Sequence, residues 1–381
     1  MRLRKYLTLI IMVGVLLLMA TPDVQAAKTL KIGLIMPLTG QLSLEGGHEA
    51  NGVKVAVDEI NAKGGMKVGG ETYKIELLVY DDGGVPKESI AAMEKLATRD
   101  NVKMVIGAFT SSSTFAMMPI AAREKVIIIT PNASAAKLTQ VGNKWFFRGG
   151  GNVPYCVEMV VNYVKELGFK TVAGLAVNDD YGRDASSKYR AGLEKLGIKV
   201  ITQEYFDHGT TDFYSVLTKI KGSKPEAILG VMEAKACSIF IRQAREICPE
   251  IAYVDGGAAD ANQLVKLAGA AADGAFIFSN GPPLNHESVA DFVKRYRERF
   301  KMDPMPFSFG GYDTVMVLVD SMQRAGTVTD SEKIQEAMTK STLEGLMGTH
   351  NFDSNNESSF CYWGVGKIEG GKPKYWKPNK K

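Results

Sequence analysis

The chain has 381 residues, 45% hydrophobic and 23% charged, with a formal charge of +4, the ordinary globular mixture that excludes a disordered or a polytopic membrane chain. Three cations and Asp23 fall in the first 26 residues, so the rest carries only about +2 without blocks of like charge, which argues against nucleic acid as a partner. The basic tail over 372–381 reads as a solvated terminus rather than a binding patch.

Arg2, Arg4 and Lys5 precede an apolar run over 7–20 and a small-residue site, Val24-Gln25-Ala26, the pattern of a secretory signal peptide. The run is shorter than the roughly 20 residues a bilayer span needs, which favours cleavage over a permanent anchor. The mature chain is expected to begin near Ala27, outside the cytoplasm, with no cysteine there to carry a lipid. About 355 residues then remain, large for one hydrophobic core and comfortable for two.

From residue 30, short β-branched runs alternate with segments of helical period. A buried strand is predicted over 30–36 and a helix over 45–63, with Val53, Val57 and Ile60 on one face and Gly64-Gly65 closing it. Strand 73–80 precedes a helix from Pro86 with Ile90, Met93 and Ala97 aligned; strand 104–106 precedes a helix through 117–123; strand 126–130 ends at Pro131. This is the rhythm of a parallel sheet with helices on both faces. Gly149-Gly150-Gly151 reads as a flexible junction, after which the rhythm restarts with a helix from Pro154, strand 171–177 and a helix over 181–196 ended by Gly197. Strand 199–205, a helix with Phe213, Val216 and Ile220, strand 227–231, helix 234–247 and strand 251–254 follow. Strand 275–279, helices 287–300 and 310–325 and a β-rich end over 348–368 complete the chain. The fold class read from this pattern is α/β, two doubly wound lobes whose ligand cleft lies at the C-terminal strand ends.

Cys237 and Cys248 flank one predicted helix, about 16 Å apart along its axis, too far for a disulfide; Cys156 with Cys361, or buried free thiols, both remain open. None of the four has redox or zinc spacing. His48, His208, His286 and His350 are scattered, and neither a nucleophile elbow nor a phosphate-binding glycine loop occurs. No enzyme, cofactor or metal is expected. Small polar residues gather at strand ends instead. Gly107 to Thr114, with Phe109, Ser111 and Ser112, enters a helix whose N-terminal N–H groups favour an anion. Thr130-Pro131-Asn132-Ala133-Ser134 presents more donors on the same edge. The second half offers Asn178-Asp179-Asp180-Tyr181-Gly182, where Tyr181 is placed to close over a ligand, and Glu233 and Asp255 at the ends of two further strands, where capping competes with receiving an ammonium.

An ordered series of motifs closely resembles the type I periplasmic solute-binding proteins, in particular the leucine/isoleucine/valine-binding branch. It runs through Pro37-Leu38-Thr39-Gly40, Asn51-Gly52, Ile60 to Gly65, Tyr80-Asp81-Asp82, Gly107 to Thr114, Thr130-Pro131, Asn178 to Gly182, Arg242 to Arg245 and Gly310-Gly311-Tyr312-Asp313. The resemblance implies lobes of 27–148 plus 282–350 and of 149–281 plus 351–381, joined by a multi-strand hinge near 149–151, 280–283 and 351–360. It implies a periplasmic protein that passes a small-molecule ligand, an amino acid of branched-chain type or a related small carboxylate, to an ABC-transporter permease in the membrane. Ser111, Asn132 and Ser134 would then hold the α-carboxylate, Tyr181 would cover the ligand, and Phe109, Glu45 and Glu233 would surround its side chain. The family's ammonium-binding acid falls on Gly257, leaving that role to Asp255 or Glu233; a family aromatic falls on Glu45, and a first-lobe disulfide on Gly84 and Thr110. The alternatives are a ligand-sensing domain feeding a membrane signalling partner, or a binder of an amide or aromatic acid.

Overall fold

Strand β1 (Lys28–Met36) is buried along its last five residues, as befits the middle of a parallel sheet covered on both faces. It pairs in parallel with β3 (Glu71–Asp81) on one side and β4 (Met104–Gly107) on the other. With β2 (Met66–Val68), β5 (Ile127–Thr130) and β6 (Phe146–Arg148) these make a six-stranded sheet, ordered β2-β3-β1-β4-β5-β6, in which only the β2 edge is antiparallel. The computed structural model describes residues 26–151, 153–257, 259–279, 281–358 and 364–376; the signal-peptide reading and Cys361 fall outside them.

The second sheet has seven strands: β7 (Thr171–Val177), β8 (Lys199–Phe206), β9 (Ala227–Val231), β10 (Ala252–Asp255), β11 (Phe276–Ser279), β14 (Gly364–Glu369) and β15 (Lys372–Trp376). Its order is β15-β14-β11-β10-β9-β7-β8, with β14 and β15 antiparallel. The start of the basic tail forms an edge strand on which Lys372 and Lys374 are exposed, alternating with half-buried Pro373 and Tyr375 across from β14, and lysines on an edge discourage further pairing. A short hairpin joins β12 (Leu343–Glu344) to β13 (Thr349–His350).

One hydrophobic core surrounds the first sheet and includes the helices Ala290–Phe300 and Pro306–Ala325, while two clusters lie about the second sheet. The helix Ser43–Ala62 packs on Pro306–Ala325 so closely that a methyl group on Gly52 would lie 1.9 Å from the Ser308 carbonyl oxygen. Glycine is required there by backbone approach.

The chain leaves the first sheet after β6, comes back after β11 and crosses again over 351–358. The first and third crossings are tied together: Arg148 N–H donates to the Asn356 carbonyl and Ser358 N–H to that of Arg148, both at 3.0 Å. The glycines at 149–151 do more than loosen this junction. Gly149 packs on Thr314 and Ile129, and a methyl on Gly150 would lie 1.8 Å from the Pro131 carbonyl oxygen. The short elements Met66–Val68, Phe146–Arg148, Ala261–Ala268 and Ser331–Met338 were not legible in the sequence pattern.

Candidate functional site

Two loops at the C-terminal edge of the first sheet form one wall of a cleft. Thr110 caps the helix Ser111–Glu124, its Oγ1 accepting from Ser113 N–H at 3.2 Å. The serines after it are therefore not needed for capping. Ser111 Oγ accepts from Ala135 N–H at 3.1 Å, which ties the two loops together and leaves its own O–H to donate. The N–H groups of the first helical turn, which have no partner within the helix, point the same way and carry the positive end of its dipole.

The loops are braced from behind. Thr130 Oγ1 donates to the Ala108 carbonyl at 2.9 Å and accepts from Ala133 N–H at 3.0 Å. Arg148, wholly buried, donates to the Ala133 and Ala135 carbonyls, both at 2.9 Å, and pairs with Glu357 at 3.2 Å. This arginine on the unpredicted strand β6 sets the shape of the loop carrying Asn132 and Ser134. Buried Asp313 in turn accepts from the N–H groups of Leu346 and Met347, each at 2.8 Å, and meets His350 at 2.9 Å, which places Met347 on the cleft.

The second sheet supplies the opposite wall. Asp179 caps the helix Asp180–Lys195 through Gly182 N–H at 2.8 Å, and its other oxygen meets His208 at 3.1 Å. Tyr181, Ala185 and Tyr189, spaced four apart on that helix, all face the cleft. Tyr189 Oη donates to the Gly256 carbonyl at 2.6 Å and lies 3.1 Å from Cys156 Sγ. Burial pushes the Cys156 thiol up to about 12, so it is an inert wall group and not a nucleophile. Gly257 sits beside it at φ +105, where a methyl would lie 2.7 Å from Cys156 Sγ. Phe109 and Phe307, edge to face at 5.4 Å, close the apolar end.

The walls touch at two edges. Lys137 pairs with Asp180 at 2.8 Å and Ala136 N–H donates to Asp184 at 3.0 Å; elsewhere Lys235 donates to Gln41 at 3.0 Å. The space between the walls is continuous with solvent at its mouth and is lined by Phe109, Ser111, Asn132, Tyr181, Glu233 and Phe307.

Of the residues singled out by sequence, Ser111, Asn132, Ser134, Phe109, Tyr181 and Glu233 come together on this cleft. Ser112, Glu45 and Asp255 do not line it. Ser112 lies on the same helical turn as Ser111 and is only half buried. Asp255 is buried off the wall, accepting from Ala259 N–H at 3.4 Å, and Glu45 is buried behind Glu233. Tyr189, Cys156, Phe307, Gly150 and Met347 were missed. The spacing of eight from Tyr181 to Tyr189, two steps of four through Ala185, was the one available signal; the others reach the cleft through the tertiary fold.

Two doubly wound sheets enclosing a polar-ended cleft, with three chain crossings between them, are matched by a family profile over residues 29–372. The chain belongs to the periplasmic binding protein family. Among similar members, the leucine-, isoleucine-, valine-, threonine- and alanine-binding protein of Pseudomonas aeruginosa is 29% identical over 87% of this chain and 88% of its own length. The branched-chain amino acid transporter substrate-binding protein LivJ of Streptococcus pneumoniae, solved with isoleucine, superposes with a TM-score of 0.82 at 27% identity, covering 92% of this chain and all of that one. A solute-binding protein of an R. palustris ABC transporter, solved with benzoate, shares the fold at the same TM-score but 20% identity, over 92% of this chain and 96% of that one. Membership of this family implies a periplasmic location.

Proposed function

We propose that this periplasmic binding protein captures an amino acid or related small carboxylate between its lobes and delivers it to the membrane permease of an ABC importer. The observation that carries the reading is the convergence of the Ser111 hydroxyl, the first turn of the helix Ser111–Glu124 and the Asn132 to Ser134 loop on one enclosed cleft, facing Tyr181 and Tyr189. Fixed N–H and O–H dipoles suit a carboxylate, and the tyrosines shield it from water. The isoleucine- and leucine-binding relatives support an amino acid as ligand.

The lobes of this reading are 27–148 plus 282–350 and 149–281 plus 351–381, closing as a hinge about the three crossings. Cleavage after Ala26 would deliver the protein to the periplasm, and N-terminal sequencing of the secreted protein checks it. Calorimetry with leucine, isoleucine, valine and simple carboxylates tests the binding. Ser111→Ala should weaken whichever ligand binds by roughly 1–3 kcal/mol, the cost of a hydrogen bond to a charged group; unchanged affinity would remove Ser111 from the site.

A further inference from the structure

The two lobes also meet at a corner off the cleft wall. Gln41 precedes the helix Ser43–Ala62 of the first lobe and Glu45 lies in its first turn, while Ala234 and Lys235 open the helix Ala234–Ile247 of the second. Lys235 donates to Gln41 at 3.0 Å, and a methyl on Gly209 would lie 3.5 Å from Gln41 Nε2. Glu45 reaches across the same corner, its carboxyl against the Ala234 N–H. It is wholly buried without lining the cleft. The helix it meets lacks a cap of its own: Glu233 holds the N-cap position in extended backbone, but its side chain makes no bond to the helix. Elsewhere Asp179, Asp260 and Asp330 each cap their own helix by accepting from the N–H three residues on. For Ala234–Ile247 the acceptor at the helix start comes instead from the opposite lobe.

The charges around this corner act on Glu45 unevenly. Glu233 and Asp260 face it from the second lobe, and both oppose its ionisation. His208 offsets Glu233 and meets Asp179 at 3.1 Å; these three belong to the second lobe, so their contacts persist when the lobes part. On the first lobe, Glu49 is buried one turn from Glu45. His48 bonds Tyr296 at 2.7 Å, and burial and Lys266 hold it down to about 4, so it is neutral near pH 7. Lys235 is engaged by Gln41. Parting the lobes separates Glu45 from Glu233, Asp260 and the Ala234 N–H together and returns it to water.

We propose that Glu45 is a proton-sensitive latch between the lobes: it caps the helix Ala234–Ile247 from the opposite lobe when the cleft shuts, and it holds best in its protonated form. This rests on the hinge of the binding-protein reading and not on which ligand is bound. A neutral Glu45 still accepts from the Ala234 N–H through its carbonyl oxygen, and it no longer repels Glu233. Burial and the Glu233 charge push Glu45 up to about 7 in the closed protein, against 4.5 in water. The closed form therefore binds the extra proton. Closure is favoured increasingly as pH falls from about 7 toward 4.5, and above about 7 that contribution is lost. For one proton the closure equilibrium changes by at most about tenfold per pH unit, and the apparent affinity of any ligand that needs the closed form follows it.

Small-angle scattering of the ligand-free protein at about pH 5.5 and about pH 8, on either side of the titration, decides. The wild-type radius of gyration should be smaller at the lower pH. Glu45→Gln, which keeps an uncharged acceptor on the Ala234 N–H, should be as compact at the higher pH as the wild type is at the lower. Glu45→Ala, which removes the acceptor, should be as extended at the lower pH as the wild type is at the higher. Lys137→Ala, at the other edge of the cleft, should keep the pH response. A wild-type radius that is the same at both pH values, or a response that Glu45→Gln retains in full, overturns the latch. Should Glu45→Ala fail to fold, the isosteric Glu45→Gln against the wild type decides alone. Calorimetry with leucine and isoleucine at the same two pH values tests the underlying reading apart from the latch. Whichever binds should do so roughly threefold or more tighter at the lower pH, a gain that Glu45→Gln lacks. Binding without any such gain overturns the latch and leaves the binding protein intact. If neither compound binds while the scattering response to Glu45 stands, the amino-acid reading falls and the latch is kept.

Discussion

The two walls of the cleft are built on opposite electrostatic principles. On the first, donors and acceptors are paired in advance: Thr130 bridges to Ala108 and Ala133, Ser111 holds Ala135, and Arg148 grips two carbonyls from behind. On the second, Glu233 faces the cleft without capping its own helix, near His208, and Glu45 lies buried behind it against the Ala234 N–H. A preorganised wall costs nothing to reorganise when an anion arrives. The second wall is left unfinished in that sense: burial favours the protonated forms of Glu45 and Glu233, which couples the wall to pH.

The sharpest way to break the contrast is to remove the brace of the first wall. Arg148→Met strands the Ala133 and Ala135 carbonyls and Glu357, and is expected to cost about 3–5 kcal/mol, as for a broken buried pair; urea unfolding measures it, and a loss below about 1 kcal/mol would mean that the loops hold themselves. Gly257→Ala strains a residue at φ +105 against Cys156 and should destabilise by roughly 1–3 kcal/mol, with weaker ligand binding in calorimetry because the same atom narrows the cleft.

Glu45→Gln addresses the unfinished wall. An acid whose pKa is raised on folding, from near 4.5 to about 7 for Glu45, binds more protons folded than unfolded, so stability falls as pH rises from about 4.5 to 7 and stays low above. Glu233, and Asp260 at about 6, add to the same fall. The glutamine variant should melt higher at pH 8, by on the order of 1 kcal/mol, with a shallower fall across the window; an unaltered melting profile would place Glu45 in solvent. Lys137→Ala gives the smallest effect. The Lys137–Asp180 pair is some two-fifths exposed on both sides, so its loss should change ligand affinity by less than about 1 kcal/mol and vanish in high salt.

Much of the site was legible because local rules place it. A serine run entering a helix after a buried strand predicts an anion site from backbone geometry alone, and Ser111, Asn132 and Ser134 do share the cleft. Asp255 misleads for a physical reason: a strand-end acid looks the same in sequence whether its side chain turns to the cleft or, as here, into the protein. Arg148 was invisible because β6 has three residues, too few for any period to show.

By itself the sequence determined the alternation of strands and helices, the restart after residue 149 and the polar strand ends, since those follow from hydrophobic periodicity and helix-end chemistry within a few residues of one another. Only the tertiary structure decided which strand ends face each other, that Asp313 positions Met347, and that Glu45 and Glu233, 188 positions apart in numbering, share one buried corner. Contacts of that range depend on how the two sheets close, and no local pattern encodes the closure.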